Sequence, residues 1–256
     1  MKSPRTILIT GASSGLGAAL ARGYARPGRR LVLGARRAEA LAAIAQDCRA
    51  AGAIVETALV DVTDRAATAA WVIAADEAGA LDLVIANAGI SGGTGGGGEA
   101  AEQTRALFAV NVDGLFNTLL PIIPRFRARK RGQIAVMASL ASFRGTPGAP
   151  AYCASKAAVK VWGEGMRGVL ADDGVELSVI CPGFVRTPMT AVNEFPMPFL
   201  MEADKAARLI ARRLEANAGR IAFPWPMAFG AWMIAALPEA LAGRLLARTP
   251  RKPAGF

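Results

Sequence analysis

The sequence contains no histidine. That excludes a Ser-His-Asp triad and any metal site built on imidazole. Cysteine is scarce too: Cys48, Cys153 and Cys181 are odd in number and lack metal-ligand spacing, so no metal site is expected. Acidic residues are outnumbered, 20 against 30 Lys and Arg, for a formal charge of +10. A basic chain invites nucleic-acid or anionic-membrane readings, yet here the basic residues are dispersed. The denser clusters, residues 125–131 and 244–252, hold a single aromatic, Phe126, fewer than a single-strand binder needs. Solvated helix ends explain them, and no nucleic-acid partner is expected. The start, Met1-Lys2-Ser3-Pro4-Arg5, runs directly into Thr6-Ile7-Leu8-Ile9-Thr10, which is too short for a signal-peptide h-region. A cytoplasmic, reducing compartment is the expectation.

What is present is largely apolar: 53% of the 256 residues are hydrophobic and the mean hydropathy is +0.32, reflecting many alanines. This argues against disorder outside short segments, and the length suits one large α/β domain. Near-continuous apolar runs occur at 7–10, 31–33, 54–60, 83–86, 134–138 and 177–181, with alanine-rich stretches between them. Such strands need cover on both faces, so the pattern predicts a doubly wound parallel sheet in a three-layer α/β/α arrangement. The one low-complexity patch, residues 92–98, reads as a flexible loop after the fourth strand.

The first strand ends in Thr10-Gly11-Ala12-Ser13-Ser14-Gly15-Leu16-Gly17 and leads into a helix. Glycines at such a turn let backbone approach a pyrophosphate, which the free amides and positive end of the helix then face. The spacing, G-x-x-x-G-x-G, differs from the common G-x-G-x-x-G fingerprint. After the second strand come Arg36 and Arg37, where an acid would hold the ribose diol of NAD; arginine suits the extra phosphate of NADP. NADP(H) is therefore the favoured cofactor and NAD(H) the alternative, with Arg36 the first contact, Arg37 the second, or one of them at the next helix start. Asp61 and Val62 close the third strand and suit the adenine amine; Asp61 would equally cap the helix near Asp64.

At the end of the fourth strand, Asn87-Ala88-Gly89 offers small residues beside a cofactor, with Asn87 tying loops together or forming a plain turn. Asn111 lies within an apolar helix, where a buried amide needs partners or interrupts the ladder. Tyr152 and Lys156 stand four apart, on one helix face, with Ser139 thirteen residues before the tyrosine. A fixed ammonium beside a phenol favours the phenolate and brings proton exchange closer to neutral pH.

In this order and spacing, Thr10-Gly11-x-x-x-Gly15-x-Gly17, Asp61, Asn87-Ala88-Gly89, Asn111, Ser139 and Tyr152-x-x-x-Lys156 resemble the classical short-chain dehydrogenase/reductase family. The likeness covers roughly residues 5–190. It implies a Rossmann fold binding NAD(H) or NADP(H), acting on CH-OH groups with a Ser-Tyr-Lys-Asn set. By that resemblance Tyr152 is the general acid or base, while Lys156 lowers its pKa and binds the nicotinamide ribose. Ser139 steadies the substrate oxygen and Asn111 holds a water. Ser13, Ser14 and Leu16 would follow the phosphates; Pro182, Gly183, Val185 and Thr187 would form the nicotinamide pocket. Hydride transfer to a carbonyl, or from a secondary alcohol, is the implied reaction, and a homodimer or homotetramer the implied assembly. The intact catalytic set argues against the other reading, a catalytically silent NADPH-binding regulatory or scaffold protein.

Residues 184–201 fall where the family carries a substrate lid. Phe184, Met189, Phe195, Met197, Phe199, Leu200 and Met201 suggest a bulky hydrophobic carbonyl or alcohol, although packing on the core would explain them too. Residues 224–256 form an apolar and then basic extension. Its apolar part is shorter than the ~20 residues of a bilayer span. It would cover the pocket, meet a subunit, or lie on a membrane with Arg244, Arg248, Arg251 and Lys252 near anionic headgroups.

Overall fold

Strands that are apolar on both sides must be sandwiched, and the chain does this by alternating strand with helix. The computed structural model describes residues 3–95, 97–247, 249 and 252, so Gly96, Arg248 and Arg251 lie outside the described residues. In chain order the strands are β1 (Thr6–Thr10), β2 (Arg30–Ala35), β3 (Ile54–Leu59), β4 (Leu83–Ala86), β5 (Gly132–Met137), β6 (Val175–Pro182), β7 (Val185–Arg186), β8 (Met201–Glu202) and β9 (Arg220–Phe223). Seven of them form one parallel sheet in the order β3-β2-β1-β4-β5-β6-β9, and β7 pairs with β8. This is the Rossmann-like, doubly wound fold. The strand order reverses between β1 and β4, which opens a crevice at their carboxyl ends.

The helices on one face are α1 (Gly15–Tyr24), α2 (Ala38–Ala50) and, late in the chain, α9 (Ala203–Glu215); on the other lie α3 (Arg65–Ala78), α4 (Ala101–Phe108), α5 (Gly114–Leu119), α6 (Ile123–Ala128) and α7 (Pro150–Ala171). Side-chain alternation divides β1 between them: Ile7 and Ile9 pack with Leu20, Leu41 and Ile210, whereas Leu8 packs with Val72, Leu115 and Val159. Two-sided burial fails only at the sheet edge, where β3 leaves Ile54 and Leu59 exposed. The helical run Ala101–Ala128 has a mean hydropathy of 1.6 and the length of a membrane span. Its inward Leu107, Leu115, Leu119 and Phe126 are fully or almost fully buried, as a core helix of a sheet requires.

Buried charge gathers at the amino ends of the strands. The Asp76 carboxylate accepts from Arg125 Nε at 2.6 Å, from Arg129 Nη1 at 2.8 Å and from the Leu81 amide at 2.9 Å. Asp82 accepts from the Arg5 amide at 2.7 Å and from Arg131 at 2.8 Å, pinning the start of β1 beside β4 and β5.

After a short α8 (Pro188–Ala191), the chain closes with α10 (Trp225–Ala236) and α11 (Glu239–Leu246). Arg144 fastens this extension by donating to Leu237 O at 3.2 Å and pairing with Glu239. Met227, Ala228 and Ala231 pack inward on the core, while Trp225, Phe229 and Trp232 face out, 76%, 56% and 54% exposed.

Candidate active site

The first wall of the site is the turn between β1 and α1. Gly11 has φ +66° and Gly15 φ +55°, left-handed values that glycine takes without strain. Gly17 is required by contact: a methyl there would stand 2.2 Å from the Gly11 carbonyl oxygen and 2.5 Å from Asn87 Nδ2. Asn87 Nδ2 donates to Thr10 O at 2.9 Å, and Thr10 Oγ1 accepts from the amides of Asn87 and Ala88, both at 3.0 Å. The turn is thus held at the end of β4, and of the two readings of Asn87 the loop tie is the one observed. Ser14 precedes α1 with extended backbone and makes no capping bond, and Leu16 lies partly buried against the core. A methyl on Gly15 would meet the Thr187 side chain at 3.2 Å, so Thr187 closes the turn from the lid side.

The two arginines reach different groups. Arg37 reaches the turn, donating to Ser14 Oγ at 2.5 Å and Ser13 Oγ at 3.2 Å. Arg36 instead pairs loosely with Asp61, at 3.5 Å. The pair alternates sides of an extended backbone, and neither side chain caps α2. Asp61 does not cap α3: that role belongs to Asp64, whose carboxylate accepts from the Ala67 amide at 3.0 Å. Asp61 accepts from the Thr63 amide and hydroxyl at 3.0 and 2.9 Å. Burial would raise its carboxyl, but Thr63 and Arg36 together hold it below the usual carboxylate range. Val62 is buried, with its carbonyl accepting from Asn117 Nδ2 at 2.9 Å.

The second wall carries the polar set. Residues Ala109–Asp113 form a π-turn inside the long helical run, with Asn111 at its centre, 1% exposed. One extra residue in a turn frees backbone groups and redirects a side chain, and such bulges recur at functional sites. Both readings of Asn111 hold: the ladder is interrupted and the amide has partners. Its Oδ1 accepts from the Ile90 amide at 2.9 Å, and its Nδ2 donates to Ile90 O and Ser155 Oγ, each at 3.0 Å.

Lys156 Nζ donates to Met137 O at 2.9 Å. A methyl on Gly89 would lie 2.9 Å from Asn111 Oδ1 and 3.2 Å from Lys156 Nζ, so these two groups face one small gap. Burial pushes the lysine down to about 8. The tyrosine moves the other way from the sequence expectation: burial raises the Tyr152 phenol, and the neighbouring Ser139 hydroxyl offsets that only in part. Desolvation therefore outweighs the Ser139 hydrogen bond, the one contribution that lowers the phenol. Ser139 lies two residues past the end of β5 in extended backbone, its Oγ accepting from the Ala141 amide at 3.1 Å.

The lid-side residues are partly committed elsewhere. The Gly183 amide donates to Phe223 O at 2.7 Å, directly after Pro182 ends β6, and Val185 O accepts from Thr190 Oγ1 at 2.6 Å. Phe184 and Phe195 meet edge to face, 6.1 Å between centroids. The extension supplies part of this wall too, because a methyl on Gly183 would touch Met227 Sδ at 3.1 Å. Thr10, Ser155 and Met227 carry no functional assignment from sequence, and Lys252 is expected only among the basic residues near anionic headgroups. Thr10 and Ser155 stood inside the quoted motifs, but their partners are 77 and 44 residues away in the chain.

A glycine turn at a helix start, a buried ammonium and a tyrosine-serine pair at a strand crevice form a site for a dinucleotide and a proton-transferring group. Residues 5–195 match the family described as short chain dehydrogenase. An uncharacterized oxidoreductase of Myxococcus xanthus is 43% identical over 240 residues, 93% of this chain and 95% of that protein. Among solved structures, a short-chain dehydrogenase from Sphingobium yanoikuyae in complex with NADPH is 28% identical, covers 98% of each chain and has a TM-score of 0.79. One from Burkholderia phymatum in complex with NAD is 27% identical, with the same coverage and a TM-score of 0.81. The chain belongs to the short-chain dehydrogenases, a family of oxidoreductases. The cradle at Gly11 and Gly17, where a side chain has no room, fits the pyrophosphate of their nicotinamide cofactors.

Proposed function

We propose that the protein is an NADP(H)-dependent oxidoreductase that interconverts a hydrophobic carbonyl compound and its secondary alcohol. The observation carrying this reading is the convergence of Asn111, Lys156 and the Ser139-Tyr152 pair beside the glycine turn. Gly11, Gly15 and Gly17 admit the pyrophosphate, and Ser13, Ser14 and the start of α1 donate to it. Arg37, already bonded to both serines, takes the 2′-phosphate, and Arg36 flanks it beside Asp61.

When bound, the nicotinamide supplies the hydride. Tyr152 Oη gives a proton to the carbonyl oxygen in reduction, or takes it from the alcohol in oxidation. Ser139 Oγ donates to the same oxygen and fixes its position. A phenol made less acidic by burial stays protonated before reduction, so it has a proton to give. Lys156, lowered to about 8, is close to exchange equilibrium at neutral pH and can restore that proton. Asn111 keeps the lysine's gap open by anchoring Ile90 and Ser155. Residues 184–201 close over the substrate, with Phe184, Phe195 and Met227 excluding water.

The outward rings of α10 support contact with a second surface, a subunit or an anionic membrane, which vesicle flotation against light scattering distinguishes. Exposed Leu120, Val161 and Val169 support a homodimer through the helices bearing Asn111 and Tyr152.

The test of the reaction is NADPH oxidation across a panel of hydrophobic ketones, with NADH in parallel. Turnover with NADPH preferred is the expected result. Tight NADPH binding with no turnover of any ketone or alcohol would replace the enzyme with a cofactor-sensing protein.

A further inference from the structure

One cation near the cleft has no role in the chemistry above. Lys252 returns from the C-terminal extension to the loop after β4, where its carbonyl accepts from the Gly95 amide at 3.0 Å. That loop is shaped for it: a methyl on Gly93 would stand 2.4 Å from Lys252 O and 2.5 Å from Lys252 Cβ. The glycine-rich run, expected as a flexible loop, is held here on several sides. Gln103 donates to Gly93 O at 3.0 Å, and the Thr94 amide donates to Gly148 O at 3.1 Å, just before α7.

The lysine head then spans the two walls of the cleft. Its Nζ donates to Ser91 Oγ at 2.8 Å and to Met189 O at 3.3 Å. Ser91 follows Ile90, the residue clamped by Asn111, and Met189 lies two residues beyond Thr187, which closes the glycine turn. An ammonium has three donors, and both partners here are neutral acceptors. Among the described residues no carboxylate pairs with it, and its pKa is pushed down to about 8 by burial alone. A half-buried charge without a counter-charge is costly, and an incoming anion would relieve that cost. The lid beside it is apolar, so the anion would sit at one end of an otherwise hydrophobic molecule.

We propose that Lys252 binds a carboxylate of the substrate at the cleft mouth, so that the enzyme selects hydrophobic ketones or alcohols bearing an acid group. The proposal rests on the redox reading given above and names the substrate class of that same site. Anion and ammonium pair without any group being transferred; the acid serves only to orient the carbonyl toward Ser139 and Tyr152.

The experiment compares one long-chain keto acid with its methyl ester, each reduced with NADPH by the wild type, Lys252→Ala and Lys252→Arg. The readout is the acid-to-ester ratio of kcat/KM. Wild type should exceed Lys252→Ala in this ratio by about tenfold, with Lys252→Arg in between, since one charge-assisted hydrogen bond is worth about that much. A lysine that merely pins the extension would lower acid and ester together and leave the ratio fixed, and that result overturns the proposal. If the wild type reduces neither compound, the redox reading fails by itself. The same pair and variants are then titrated against the NADP-bound protein. An acid preference lost in Lys252→Ala would uphold the carboxylate site, and equal or absent binding would end it.

Discussion

The two ends of the sheet treat buried charge in opposite ways. At the amino ends of the strands, Asp76 meets Arg125 and Arg129, and Asp82 meets Arg131, so each carboxylate has its cation. At the carboxyl ends, Lys156 and Lys252 are bonded to a backbone carbonyl, a hydroxyl and a second carbonyl, with no acid against either among the described residues. Matched charge holds the frame together, and unmatched charge is left for something that arrives. The difference teaches which polar groups to perturb for stability and which for chemistry.

The comparison breaks if the set at the carboxyl ends turns out to carry stability or the set at the amino ends activity. The largest effect expected is at Tyr152→Phe, where loss of a positioned acid should cut kcat by about 10²–10⁴-fold. Fluorescence titration should give an NADPH Kd within about twofold of wild type, and retained turnover would remove Tyr152 from its role.

Asp76→Asn should cost about 2–3 kcal/mol in urea unfolding. That is below the ~3–5 kcal/mol of a fully buried pair, because both arginines are partly solvated. Burial would raise the Asp76 carboxyl, but Arg125, the Leu81 amide and Arg129 hold it below the usual range. A depressed carboxylate adds stability that is complete above its unfolded pKa of ~3.9 and lost as pH falls through the folded value. Wild type and Asp76→Asn should therefore differ fully at pH 6 and converge only as pH falls below the ordinary carboxylate range. A constant gap would mean that the charge is not the cause.

Arg37→Ala should raise the Kd for NADP about tenfold, or ~1.4 kcal/mol, and leave NAD little changed. Arg36→Ala should do less, because its guanidinium already leans on Asp61. A larger loss at Arg36 would instead uphold the order expected from sequence. Smallest of all, Trp232→Ser should shift unfolding by no more than ~0.5 kcal/mol, since the ring is 54% exposed, while reducing self-association or vesicle binding.

Much of this organisation was legible because it rests on local rules. The apolar runs predicted six of the seven strands of the main sheet, β1 to β6, and the glycine turn announced itself by residue type at a strand-to-helix boundary. The Tyr152 and Lys156 pair was legible as a spacing and its partners as a pattern. What stayed hidden depends on groups distant in sequence. Nothing local says that Arg37 rather than Arg36 turns toward Ser14, or that Asp64 rather than Asp61 caps α3. The sign of the tyrosine shift was missed because helix spacing reports a neighbour's charge and not the depth of burial. Lys252 reads as one basic residue among several until its carbonyl is seen against Gly93.

The π-turn at Ala109–Asp113 has a consequence for insertions and deletions. A π-turn is an α-helix carrying one residue too many, so excising a single residue, Val110 for instance, would let the segment relax into regular helix. The flanking stretches would keep their register, because the bulge absorbs its extra residue locally, and only the amide would swing away from Ile90 and Ser155. Such a shortened protein should unfold at higher denaturant concentration and turn over more slowly, because the one-residue irregularity of the helix is what keeps the amide on Ile90 and Ser155.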